Sequence, residues 1–196
     1  MSDAARTGAG APDSLERLRE LLVARGGLVA TLLAGPGEGA DSAGMAPGAG
    51  GGHSRPAALA AAGPRAEGRR EEYELLLEAI YEGYLLHYGD PRLVRAPEAD
   101  LGLLAGDQLY AVGLARLVGL GDTHAVAELA DTITLSALAQ AAGEHELAEM
   151  VWEAGARAVG WGPSDEHRRA KQLLREGAPE ALAAMRTSAR APARAS

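Results

Sequence analysis

From Glu71 to Val159 apolar residues recur every three or four positions through four successive segments, and nowhere does the chain alternate apolar and polar residues as a half-buried strand would. That period puts one face of each segment on a helix and leaves no strand pattern to pair. The segments end at glycines or at Gly-Asp-Pro, residues that stop helices, and the breaks between them are short. Short breaks between long helices make successive helices antiparallel neighbours. The expected fold is therefore all-α, an antiparallel bundle of about four to five helices with a flexible N-terminal extension.

The helices are expected as follows. Glu71–Tyr88 carries Tyr73, Leu76, Leu77, Ile80, Tyr84 and Tyr88 on one face, with Glu72, Glu74, Glu78 and Glu82 mostly on the other. Glu98–Leu120 is apolar nearly all round, which places it in the middle of the bundle. Thr123–Ala142 turns Val126, Leu129, Ile133 and Leu138 inward, and Glu144–Val159 does the same with Leu147, Met150 and Val151. Ser164 is placed to cap a short charged helix, Asp165–Glu176, and the chain from Pro179 reads as a weakly helical, frayed end. Upstream, Asp13–Arg25 reads as a short amphipathic helix, followed by an apolar run at 28–33 that either continues it or docks as an extended piece.

Between these parts lies a compositional break. Of the 35 residues from Ala34 to Gly68, 10 are Gly, 11 Ala and 4 Pro. So little bulky apolar surface is expected not to offset the entropy of ordering, which makes the stretch a disordered linker. The domain plan is an N-terminal segment at 1–33, the linker at 34–68, a bundle core at 69–162 and a charged helix with its tail at 163–196.

Charge narrows the partners. The core at 69–162 holds 16 acids and 6 bases, and 163–196 holds 4 and 7. An acidic body gives no electrostatic footprint for nucleic acid, which needs clustered Lys and Arg. The absence of cysteine excludes disulfides, thiolate catalysis and Cys-ligated metal. No transmembrane segment and no leader is expected, because no apolar run is uninterrupted for the length of a bilayer and the first ten residues are polar. The expected location is cytoplasmic, and no cofactor is called for.

No constellation of catalytic residues stands out. None of His53, His87, His124, His145 and His167 stands in a His-Glu-x-x-His or Glu-x-x-His arrangement on a common helical face, so no metal site is expected. The glycine clusters lack the Lys-Ser/Thr of a phosphate-binding loop, and no serine sits in a Gly-x-Ser-x-Gly setting. Asp107 is the residue to watch, because a carboxylate in the most apolar helix needs a partner or a cavity. It is either a site residue or the partner of Arg92 or Arg116. Tyr84 and Tyr88 are candidates to line a pocket with His87, or else to form core or interface.

Two segments carry a resemblance. Glu78-Ala79-Ile80-Tyr81-Glu82-Gly83-Tyr84-Leu85-Leu86-His87 resembles the helix that runs into the first aspartate-rich motif of trans-isoprenyl (polyprenyl) diphosphate synthases, and Leu104-Ala105-Gly106-Asp107-Gln108-Leu109 resembles their Leu-Ala-Gly-Asp-x-Leu segment. The likeness spans about residues 75–135. In that family two aspartate-rich motifs bridge Mg²⁺ to an allylic diphosphate. Here Tyr88-Gly89-Asp90-Pro91 follows Leu86-His87, leaving one carboxylate, and no second Asp-x-x-x-Asp cluster comes later. The resemblance thus implies a non-catalytic relative: an accessory or scaffold protein forming homo- or hetero-oligomers through its helical core. The alternative is an isoprenoid- or lipid-binding module or enzyme with an apolar pocket between its first two core helices and Asp107 or His87 at the mouth. A further reading makes the tethered N-terminal helix a reversibly docking regulator.

Overall fold

The computed structural model describes residues 14–34 and 55–190. Among them are nine α-helices and no strand. They are α1 Ser14–Arg25, α2 Leu28–Thr31, α3 Arg55–Ala61, α4 Arg70–Tyr88, α5 Ala99–Gly119, α6 Thr123–Ala141, α7 His145–Trp161, α8 Asp165–Arg175 and α9 Ala181–Arg190. The all-α expectation holds, and the helices exceed the four or five foreseen. The cap Ser164 accepts a hydrogen bond from the His167 N–H at 3.1 Å, as expected, and Asp122 caps α6 through the Ala125 N–H.

Two helical hairpins form the frame, α4 with α5 and α6 with α7. Glycines set how closely each hairpin closes. A Cβ on Gly83 of α4 would lie 2.9 Å from the Gly106 carbonyl oxygen, and one on Gly113 would lie 2.3 Å from Ile80. In the other hairpin, a Cβ on Gly155 would meet Thr132 at 2.0 Å. Tyr73, Leu76, Leu77, Ile80, Leu117, Leu129, Trp152 and Val159 fill the space between the hairpins.

The segment 34–68 departs from its expected character. Its residues 35–54 lie outside the described residues. From Arg55 onward, however, α3 wedges between α4 and α7, with its Ala57 and Ala60, and Ala66 of the turn after it, fully buried. Gly160 of α7 is what permits this: a Cβ there would stand 2.5 Å from the Ala60 carbonyl oxygen. Small side chains make a poor core by themselves but a good wedge into one already formed.

Two other expectations are corrected. Glu78 and Glu82 do not face solvent; both are fully buried. The face they occupy is covered by α1 and by the α4–α5 connection, whose Arg92 pairs with Glu78 at 2.7 Å and with Glu82 at 3.2 Å. The chain after Pro179 is not frayed as far as Arg190. Helix α9 packs on α7 and α8 and buries Ala181, Met185 and Ser188. The packed body is therefore wider than 69–162. Residues 1–13 and 191–196 lie outside the described residues, Asp13 among them.

Candidate interaction surface

The four residues singled out from the sequence lie toward the connected end of the α4–α5 hairpin, in different surroundings. Tyr84 is core: it is 6% exposed, lies 5.1 Å from the Trp152 ring and accepts a hydrogen bond from Gln140 Nε2 at 2.6 Å. Burial pushes its phenol up from the ordinary value. Tyr88, one turn on, is 44% exposed. His87 lies in a slot made by Gly106, where a Cβ would come within 2.5 Å of the imidazole, and stacks on Tyr110 at 5.4 Å. Asp107 is 3.4 Å from His87 Nε2, an ion-pair distance that makes no hydrogen bond, and its side chain is 70% exposed. Arg92, foreseen as a partner for Asp107, is committed to Glu78 and Glu82 instead.

Asp107 is exposed because α5 is not buried on all sides, and this corrects the reading that put the helix in the bundle's middle. Its buried face is Gly102, Ala105, Gly106, Leu109, Val112, Gly113 and Leu117. The opposite face is open and apolar: Leu103 is 44% exposed, Leu104 57% and Val118 60%, with Ala111 and Ala115 exposed between them. These positions form one stripe at helical spacing, about 22 Å long at 1.5 Å per residue. Asp100 and Asp107 interrupt it, and no base does. Among the described residues α5 is also the one helix long and apolar enough, by length and composition, to cross a membrane. A helix at the edge of a bundle passes the same test, and the Gly83–Gly106 and Ile80–Gly113 contacts pin one face of α5 to α4.

Two polar networks, the first partly buried and the second buried, escaped the sequence reading. In the first, Asp122 is bound by Arg65 at 2.8 Å and by the Tyr73 hydroxyl, besides capping α6. Burial and the hydrogen bond to Asp122 push the Tyr73 phenol up to about 12. In the second, His167 Nε2 lies 3.1 Å from Glu128 Oε2 and His167 Nδ1 lies 2.9 Å from Ser188 Oγ. Lys171 Nζ binds the same Glu128 oxygen at 2.8 Å and Asp131 at 2.7 Å. Burial would raise the Glu128 carboxyl, but the hydrogen bonds from His167 and Lys171 and the Lys171 charge outweigh it and hold it at about 2.

The Ser188–His167–Glu128 chain contains the residue types of a hydrolytic triad. Its serine is 3% exposed and its histidine 4%, so no substrate carbonyl can reach the hydroxyl. The network fastens α8 and α9 to α6 instead. Its sequence signal was present: His167 and Lys171 are four apart on α8, and Glu128 and Asp131 three apart on α6, so each pair shares a face. Among the described residues no group of three or more His, Asp or Glu is arranged to hold a metal ion.

No family model, no curated protein and no solved structure matches the chain.

Proposed function

We propose that this chain is a non-catalytic helical accessory protein that acts by protein–protein contact, and that the open face of α5 is its contact surface. The observation carrying this is the stripe Leu103, Leu104, Ala111, Ala115 and Val118, left in solvent on an otherwise well-packed helix. Exposed apolar surface repeated along one helix face marks a place where another molecule sits. The partner is a different protein rather than a second copy. Two such stripes would set carboxylates of Asp100 and Asp107 against an equally acidic surface, whereas an apolar segment flanked by Lys or Arg complements them.

Kinship with a polyprenyl diphosphate synthase subunit belongs to the same proposal. Its support is that the Leu-Leu-His and Leu-Ala-Gly-Asp segments lie side by side, with His87 and Asp107 3.4 Å apart. The rival reading, an apolar tunnel between α4 and α5, is disfavoured by the contacts at Gly83, Gly106 and Gly113, which close the two helices on each other.

Leu104→Asp with Val118→Asp tests the surface. The double variant should keep its helical circular dichroism and melting temperature, because both side chains are in solvent. A protein that co-purifies with the wild type at fixed stoichiometry should be lost. Retention of that protein by the folded variant, or a wild type that stays a monomer and binds lipid vesicles through the same residues, would overturn the proposal. Turnover of an isoprenyl diphosphate with Mg²⁺ would overturn its non-catalytic part.

A further inference from the structure

On the side of the α4–α5 hairpin away from the open stripe, α1 lies in a socket that the rest of the fold builds. The floor is apolar: Leu18 and Leu22 of α1 and Val29 of α2 enter a cluster with Ala79, Leu93, Val94, Ala105 and Leu109, all nearly or fully buried. Its polar wall is assembled without α1. Glu82 accepts from the Leu93 N–H at 2.6 Å and the Val94 N–H at 3.3 Å, and Arg92 holds both Glu78 and Glu82. Onto this wall α1 adds the Ser14 hydroxyl, which donates to Glu78 Oε1 at 3.2 Å. At the rim Arg17 pairs with Glu74 at 2.8 Å and reaches Glu71 at 3.6 Å.

Helix α1 is a small insert held chiefly by α4. Its chain is fastened again through α2, which packs on α5 by Val29, and where Ala34 N–H donates to the Leu93 carbonyl and Arg95 N–H to the Leu32 carbonyl, both at 2.8 Å. Beyond Ala34 come 20 residues, 35–54, of which 8 are glycine, before the bundle resumes at Arg55. By length alone, 20 residues can span up to about 66 Å, so α1 can leave the socket while α3 stays in place.

We propose that this socket is a helix-binding groove, that α1 is its intramolecular occupant, and that an amphipathic helix of a partner protein displaces α1. The partner helix carries the chemistry α1 shows: Ser-x-x-Arg-Leu-x-x-x-Leu, with the hydroxyl over Glu78, the base at Glu74 and the two leucines on the floor. The two leucines sit at i and i+4 on one face, which is how a helix is read by a groove. The preassembled wall of Glu82, Arg92 and the 93–94 backbone means that the groove needs little reorganisation to accept a substitute. The inference rests on the reading of the chain as an interaction protein but uses neither Leu104 nor Val118, so the two can fail separately.

The probe is a fluorescent synthetic peptide of residues 14–34, titrated against the full chain. The wild type should bind it weakly, because the tethered copy competes at an effective concentration of about a millimolar. The full chain carrying Leu18→Asp and Leu22→Asp, whose own α1 cannot seat, should bind it at least about tenfold more tightly. Adding Glu74→Lys to that variant should weaken binding again. In the wild type, hydrogen exchange at the α1 amides should run well ahead of exchange in α4. A helical Leu18→Asp, Leu22→Asp chain that does not bind the peptide overturns the proposal. Global loss of helicity in that variant, or α1 amides as slow as those of α4, makes α1 part of the core and overturns it equally.

Discussion

Single residues decide where this fold is tight. Gly160 is one such position, because its missing Cβ is where the Ala60 carbonyl passes, 2.5 Å away. Backbone cannot swing aside as a side chain can, so Gly160→Ala should lower stability by about 1–3 kcal/mol in urea denaturation, despite alanine's better helix propensity. Glu128 governs the acid limb. With its folded carboxyl at about 2 against an ordinary value of 4.5, it stabilises the fold fully above 4.5, and that contribution fades as pH falls through about 2. The contribution is on the order of 3 kcal/mol. Glu128→Gln should therefore be clearly less stable than wild type at pH 6, with the gap shrinking toward pH 2. Urea midpoints at three pH values check this, and a gap independent of pH would show that the carboxylate's charge is not what matters. The buried indole N–H of Trp152 donates to no acceptor among the described residues; its ring meets Tyr81 edge to face at 5.1 Å, an arrangement in which aromatic rings attract.

At the scale of elements, the small helices α3 and α9 show what periodicity misses. Helix α3 has no bulky buried residue, and its alanines work by letting it approach α7 closely. Helix α9 belongs to the body because Met185 and Ser188 are buried where it packs on α7 and α8. Met185→Ala should cost about 2–4 kcal/mol, the usual result of emptying a filled site. A frayed tail would lose nothing, so the thermal midpoint of this variant separates the two descriptions. The major helices were legible to within a residue or two, since α4 to α8 each carry a 3.6-residue pattern or an explicit stop. The buried acids Glu78 and Glu82 were not: which face of α4 is covered depends on α1, some 60 residues away in sequence.

For the whole molecule, the close α4–α5 contact has a consequence for ligands. With Gly83 and Gly113 against the facing helix, no prenyl-sized channel runs between the two at those levels. Saturating farnesyl diphosphate, with or without Mg²⁺, should leave the melting temperature unchanged. A clear rise would signal stabilising binding and reopen the lipid-binding reading. Gly113→Leu, in contrast, should force the hairpin apart and lower the melting temperature.

What sequence alone determines here is the class of structure and most of its punctuation. Helical periodicity, Gly and Gly-Asp-Pro stops and the Ser164 cap are local properties, written within a few residues of where they act. Tertiary structure decided which helical faces are wet. Helix α5 is apolar nearly all round, so its pattern could not say which side meets α4; three glycines that admit close contact put one side inside and left Leu104 and Val118 in water. The same holds for Asp107, whose exposure follows from that choice, and for Glu128, His167, Lys171 and Ser188, brought together from three helices. Burial depends on residues distant in the chain arriving at one place, and local sequence carries no record of that arrival.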